Sequence, residues 1–244
     1  MKFTYDGYTE LIELIRKGDY LIADYNNWKQ CEKCVILRHD VDTDLQKALE
    51  LATLEYRMDI RSTYFVLITS NFYNPNSYRN RKIMKEIQNM GHTVGLHFDE
   101  MAYPDDAGRV EEVIVHIQNE LRMLSDILQT DVCVFSYHRP TRRILDADIG
   151  IQSAINSYSD TFFKKFKYLS DSRMYWREPV LSIICEQSYQ RLQILTHPFW
   201  YHDKEMDMKE IIENFIRAAY MERYKCLNEN FTNLDGIIDG GIRL

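Results

Sequence analysis

The sequence has few prolines and glycines, which interrupt helices and strands, and few cysteines, which could form disulfides. Its 244 residues include five prolines and nine glycines, and the absence of internal repeats and of Gly- or Pro-rich stretches excludes repeat architectures and long flexible linkers. Five cysteines, an odd number without an export signal, predict reduced thiols and argue against a disulfide framework. Cys31 and Cys34 form a C-x-x-C pair, but no second pair accompanies it, so a zinc or redox site there is not expected.

The chain also lacks a long apolar run and an excess of positive charge. No segment of about 18 apolar residues and no secretory apolar region occurs, so we expect a cytoplasmic protein without membrane insertion. The net charge of −7 disfavours polyanionic partners, and no nucleic acid partner is expected. Apolar residues make up 45% of the chain, enough for one sizeable core, so a single domain over 1–244 is predicted.

Short apolar runs alternate with longer helical periods. The apolar runs predict strands at 34–40, 63–69, 92–97, 132–138, 167–172 and 192–197. The helical periods predict an N-terminal helix at about 1–30, helices at 43–58, 80–91 and 108–128, and a C-terminal helix and tail at about 204–244. Strands separated by helices are typical of parallel βαβ units, and six or seven such units in one domain favour an α/β barrel over an open sheet.

Polar residues of an unusual kind stand at the carboxyl ends of the predicted strands. They are Asp40, Asp42, His97, His138, Arg139, Asp171 and His197. In (β/α) barrels these strand ends converge on the pocket that carries chemistry. A single histidine at a strand end is more often structural, but ligand-type residues at five strand ends favour a site.

Asp40 and Asp42 are expected to project to one face of their strand, since side chains alternate. Two carboxylates so close repel each other unless a cation or a proton lies between them. This predicts a bound metal or a raised pKa on one of them. The alternative is a solvated turn in which these aspartates cap the following helix.

Five segments resemble, in order, the motifs of the polysaccharide deacetylase family, carbohydrate esterase family 4. They are LRHDVD, GHTVGLHFD, YHRP, LSDSRMYWREP and LTHP, within residues 34–200. The H-D-V-D in place of the usual F-D-D-G resembles a divergent branch linked to bacterial surface polysaccharides. The resemblance implies a distorted (β/α)7 barrel and a metal-dependent hydrolase that removes an acetyl group from an N- or O-acetylated sugar, its carbohydrate substrate.

The resemblance also implies roles for individual residues in catalysis. Asp40 is the implied base that takes a proton from the attacking water, and Arg139 is the arginine that orients and ion-pairs this base. His197 is the implied general acid, and Asp171 supports it. Tyr137, Trp176 and Trp200 are expected to offer apolar surfaces to sugar rings, with simple packing as the alternative.

The implied metal, expected to be zinc, has an incomplete set of ligands. His97 matches the first ligand histidine of the family, and Asp42 is the best substitute for its ligand aspartate, since strict alignment places Val41 at that position. Met101 stands where a second histidine is expected, four residues after His97. A thioether is a poor zinc ligand in an oxygen and nitrogen site. His138 is the best substitute by position, with Asp99 or Glu100 behind it.

The motifs assign no role to Arg38 or His92, and the sequence allows two further functions. Arg38 needs a carboxylate partner if it points into the barrel, and none is assigned to it. His92, at the start of its strand, is expected to be exposed. The functional alternatives are a metal-free barrel that binds a glycan or a protein, and an amidohydrolase that acts on another C–N bond.

Overall fold

The computed structural model of the chain describes residues 1–238. The strands of this part are β1 (Leu21–Ala23), β2 (Cys34–Val41), β3 (Thr63–Val66), β4 (Thr93–Phe98), β5 (Val134–Tyr137), β6 (Ile155–Asn156), β7 (Lys167–Ser170) and β8 (Arg191–Thr196). All six predicted strands are confirmed, with ends that differ by up to three residues. β1 and β6 are additions to the predicted set.

Helices connect these strands. They are α1 (Tyr5–Lys17), α2 (Leu45–Arg57), α3 (Tyr78–Asn89), α4 (Val110–Leu128), α5 (Arg142–Asp146), α6 (Asp160–Lys164), α7 (Val180–Glu186), α8 (Met208–Asn230) and α9 (Leu234–Ile237), with short 3-10 helices at Trp28–Gln30, Glu100–Ala102 and Pro198–Trp200. The prediction of an N-terminal helix to about residue 30 is wrong. α1 ends at Lys17, because Gly18 follows and Asp19 takes a left-handed φ of 57°.

The strands form one parallel sheet in the order β6-β5-β4-β3-β2-β8-β7, with β1 beside β2. β2 is central, since it pairs with β3 on one side and β8 on the other. Because all strands run in the same direction, their carboxyl ends meet at one edge of the curved sheet. The residues that follow β2, β4, β5, β7 and β8 are therefore brought together.

All eight residues of β2 are buried, since both faces of the strand are covered. Alternation points Arg38 and Asp40 to one face and His39 to the other. His39 meets α2, where its Nε2 lies 3.1 Å from an oxygen of Glu55. The strand gives way to α2 at Asp44, whose side chain accepts a hydrogen bond from the backbone N–H of Gln46 at 2.8 Å.

β4 passes close to its neighbours at Gly95. A Cβ atom at this position would lie 2.7 Å from the Phe65 ring and 2.9 Å from Val134, so a larger residue would force these side chains to move. The Phe65 ring in turn lies 4.9 Å from the guanidinium of Arg38. A glycine on β4 thus makes room for the aromatic ring that packs on Arg38.

The chain divides into two compact units, Met1–Asp203 and a second that begins at Lys204. The second unit contains α8 and α9, which confirms the predicted C-terminal helix and carries it on to Asn230. Residues 239–244 of the predicted tail lie outside the described residues, and the single domain stays a prediction. Over residues 1–238, no helix has the length and apolar character needed to cross a membrane.

Candidate active site

Three ligand-type atoms from three strands converge at the carboxyl edge of the sheet. Asp42 directly follows β2, His97 lies in β4, and His138 directly follows β5. Oδ1 of Asp42 lies 3.2 Å from Nε2 of His97 and 3.2 Å from Nδ1 of His138. The two nitrogens are 3.3 Å apart. The structure therefore brings together the three residues that the sequence analysis selected as metal ligands.

The chemistry of this trio fits a divalent cation. Oδ1 of Asp42 is buried and accepts no well-formed hydrogen bond from residues 1–238, although both imidazoles are near it. Burial opposes the charged form of this carboxyl, but His138 and His97 hold the pKa of Asp42 well below its usual range. Two imidazole nitrogens and one carboxylate oxygen are a typical ligand set for catalytic zinc.

Ser136, which the sequence analysis missed, fixes the orientation of His97. Its hydroxyl lies 2.6 Å from Nδ1 of His97, and both side chains are buried. This contact leaves Nε2 of His97 to face Asp42. Ser136 precedes His138 by two residues on the same strand face, so strand alternation was a signal that could have found it.

Asp40, the expected base, is buried beside the trio. Its Oδ2 lies 3.6 Å from Nε2 of His97. Nη2 of Arg38 donates to both Asp40 oxygens, at 2.7 and 2.8 Å, which supplies the partner that Arg38 lacked in the sequence analysis.

The expected contact between Arg139 and Asp40 is wrong. Arg139 is 59% exposed at its side chain and donates to Asp99. The physical reason is again alternation, because His138 points into the site and the next residue points away from it.

His197 and Asp171 form a dyad next to Asp42. Nδ1 of His197 lies 2.6 Å from Asp171, whose fully buried carboxylate also accepts a hydrogen bond from the hydroxyl of Tyr201 at 3.0 Å. Burial opposes the protonated imidazole, but Asp171 raises the pKa of His197 to about 9. His197 therefore carries a proton at neutral pH. Its Nε2 lies 3.8 Å from Oδ2 of Asp42.

The three aromatic residues expected to face a sugar do not share one environment. Tyr137 is 1% exposed and packs in the hydrophobic core, so its expected place in the pocket wall is wrong. It points to the opposite face of β5 from Ser136 and His138. Trp176 and Trp200 are half-buried, and within residues 1–238 no acceptor meets either indole N–H. Met101 is 39% exposed on the 3-10 helix after β4.

A second buried polar cluster lies on the other face of β2, around Glu55 of α2. The fully buried carboxylate accepts hydrogen bonds from Tyr8 at 2.5 Å, Ser62 at 2.5 Å and Tyr64 at 2.7 Å. His92 joins this cluster, with Nδ1 3.2 Å from the Ser62 hydroxyl, and is 4% exposed. The expectation that His92 is exposed is therefore wrong.

The comparison with known proteins rests on structure, since no protein-family model and no curated protein matches the sequence. A Streptococcus mutans CE4 esterase superposes with a TM-score of 0.50 and 14% identity, over 86% of this chain and 89% of that chain. A Streptococcus pyogenes deacetylase in complex with acetate gives 0.45 and 13%, over 79% and 80%.

A CE4 family pseudoenzyme from Bacillus anthracis gives a TM-score of 0.46 and 15% identity, over 78% of this chain. The matched part spans 62% of the pseudoenzyme's length. At these identities the likeness to the Streptococcus mutans esterase supports the fold alone. The chain therefore has the CE4 fold, the distorted (β/α)7 barrel that its motifs predict.

Proposed function

We propose that this chain is a divalent metal-dependent hydrolase that removes the acetyl group of an N- or O-acetylated sugar. The convergence of Asp42, His97 and His138 on one point, beside Asp40, is the observation that carries the proposal. Zinc is the metal that we favour, because the ligand set is two nitrogens and one oxygen. A bacterial surface polysaccharide or its precursor is the substrate class that the motifs favour.

The bound metal would polarise the acetyl carbonyl and lower the pKa of a water molecule. Asp40 accepts the proton of the water that attacks the carbonyl carbon. His197 donates its proton to the departing nitrogen or oxygen as the C–N or C–O bond breaks, which leaves acetate and a free amine or alcohol. Asp171 keeps His197 protonated and oriented through the contact at 2.6 Å.

Substrate contacts of Trp176 and Trp200 are part of the same proposal. Both side chains are partly buried in the hydrophobic cluster that includes α1, α7 and β8. Their indole N–H groups are buried and meet no acceptor within residues 1–238, so we expect the faces of the rings, and not these donors, to pack on the sugar.

Metal analysis combined with acetate release tests the proposal. The purified protein is expected to bind one zinc, cobalt, nickel or manganese ion and to release acetate from a member of a panel of acetylated glycans and nucleotide sugars. His138→Ala should lower both the bound metal and the rate. His116→Ala is the matched control. His116 lies on α4 and pairs with Asp106, which precedes that helix, at 2.9 Å, so this variant should retain both the metal and the rate.

Absence of metal together with absence of acetate release across the panel would contradict the proposal and favour a glycan- or protein-binding barrel. Ring opening of a cyclic amide without acetate release would favour the amidohydrolase instead. Equal losses in His138→Ala and His116→Ala would remove the special role of the trio.

A further inference from the structure

We infer that Arg38 is the residue that positions the base Asp40, in the role that the motif resemblance gives to Arg139. This inference rests on the proposed function. It comes from the contacts of Arg38, which lies two residues before Asp40 on the same strand face.

The guanidinium of Arg38 holds the Asp40 carboxylate from one side. Nη2 donates to both oxygens, at 2.7 and 2.8 Å, and Nε lies 3.3 Å from Oδ1. Nη1 is free of this contact and donates to the hydroxyl of Ser157 at 3.0 Å. The planar, rigid arrangement of these donors fixes the plane of the carboxylate, which a lysine ammonium would not do.

Aromatic rings fix the guanidinium itself. Its central carbon lies 4.9 Å from the ring centre of Phe65 and 4.9 Å from that of Tyr158. Arg38 is 0% exposed, so it has little freedom to take another rotamer or partner. The cation–π contacts and the Ser157 hydrogen bond thus hold the Arg38 guanidinium in place, and the guanidinium in turn orients Asp40.

A role in stability alone is a weak explanation for this pair. Burying two charges costs desolvation energy that their attraction only partly offsets, and well-packed apolar residues of similar volume often do as well. The position of the pair favours a catalytic role, because Oδ2 of Asp40, the proposed base, is 3.6 Å from Nε2 of the candidate ligand His97. Arg139, exposed and bound to Asp99, cannot fill this role as placed.

The test compares Arg38→Met and Arg38→Lys with the wild type, in acetate release by metal-loaded protein. We expect kcat to fall about 10²-fold in Arg38→Met, because a misplaced base costs a factor of this size. Arg38→Lys should recover part of this loss, since lysine restores the positive charge but not the hydrogen bonds of the guanidinium to both oxygens of Asp40. KM and metal content should stay within about threefold, which separates loss of positioning from loss of folded protein.

Arg191→Met is the matched control. The guanidinium of Arg191 also lies over an aromatic ring, 5.1 Å from Trp28, but at the amino end of β8. We expect kcat of Arg191→Met to stay within about threefold of the wild type. If Arg38→Met does not fold, Ser157→Ala provides the second measurement, with kcat expected to fall about threefold to tenfold at constant KM as Arg38 loosens.

Wild-type kcat in both Arg38→Met and Ser157→Ala would overturn the inference and leave the proposed function intact. An unfolded Arg38→Met together with full kcat in Ser157→Ala would overturn it as well. A wild type that releases no acetate from any substrate would refute the proposed function, and the inference would fall with it.

Discussion

At the scale of single residues, the site depends on the alternation of side chains along β2. Arg38, Asp40 and Asp42 are two residues apart and share one face. The same rule that paired the two aspartates in the sequence therefore also places Arg38 beside Asp40. The motif pattern pointed instead to Arg139, which the structure pairs with Asp99. Alternation along the strand predicts the partner of Asp40 better than the motif resemblance does, because alternation follows from backbone stereochemistry.

Ser136 offers a residue-scale prediction about metal affinity. Its hydroxyl lies 2.6 Å from Nδ1 of His97 and is placed to accept a hydrogen bond from the Nδ1–H group when Nε2 binds a metal. Removal of such an outer contact costs about 10–100-fold in metal affinity. We therefore expect Ser136→Ala to raise the Kd for zinc by about this factor, measured by competition with a chromophoric chelator.

Ser125→Ala is the control for this measurement, since the Ser125 hydroxyl donates to the Leu121 carbonyl within α4 at 2.7 Å. Its zinc affinity should equal that of the wild type. An unchanged Kd in Ser136→Ala would mean that His97 needs no outer partner or is not a ligand.

At the scale of helices and strands, the longest and most deeply buried strands were the clearest in the sequence. β2 and β8 are buried over nearly their whole length, so their apolar runs were visible. β1 has three residues, of which Leu21 is 60% exposed, and it left no such signal. The reach of α1 was overestimated because helical spacing continues beyond Lys17, while the stop depends on backbone conformation at Gly18 and Asp19.

The Glu55 cluster ties α2 to the sheet and leads to a prediction about stability. Glu55 is fully buried and accepts hydrogen bonds from side chains of α1, β3 and the loop before β3. Glu55→Gln would replace an acceptor with an NH₂ group that faces donors. Breaking a buried charged contact in this way costs about 3–5 kcal/mol. Denaturant unfolding should show this loss as a lower midpoint.

The same carboxylate predicts how stability depends on pH. Burial opposes its ionisation, but His39, His92 and Ser62 together outweigh burial and lower the pKa of Glu55 from 4.5 to about 2. Its contribution is therefore fully present above about pH 4.5 and is lost as pH falls toward 2, by on the order of 3 kcal/mol. The unfolding free energy of Glu55→Gln should vary less than that of the wild type over this window.

Glu50→Gln is the control on the same helix. Glu50 contacts Tyr5 and Lys47, and its side chain is 40% exposed. It should lose less than about 1 kcal/mol. A loss of similar size in the two variants would mean that the Glu55 cluster contributes no more than an exposed contact.

At the scale of the whole molecule, the fold joins residues that are far apart in the sequence. Asp42, His97 and His138 come from β2, β4 and β5, and Asp171 and His197 come from β7 and β8. The order of the motifs and the parallel sheet were enough to predict that these residues share one edge. The roles expected for Arg139 and Tyr137 did not follow from that order, because both residues neighbour His138 in the sequence and alternation turns their side chains away from the site.

A metal held between three strands should stabilise the whole barrel. A ligand at about 100 times its Kd adds about 2.7 kcal/mol to the stability of the folded state. In a domain of about 200 residues, each kcal/mol raises Tm by about 2–4 °C. We therefore expect zinc at this concentration to raise Tm by about 5–10 °C in differential scanning fluorimetry, and a chelator to reverse the shift.

The origin of this shift can be assigned with two variants. His138→Ala should abolish most of it, because His138 supplies one of the three ligand atoms. Cys31→Ser should retain it in full, since this variant removes only the C-x-x-C pair formed with Cys34. The reverse pattern would place the metal at the cysteines and leave Asp42, His97 and His138 as a hydrogen-bonded polar cluster. Because the two sites draw on different ligand atoms, the two variants together decide which one couples metal binding to the stability of the barrel.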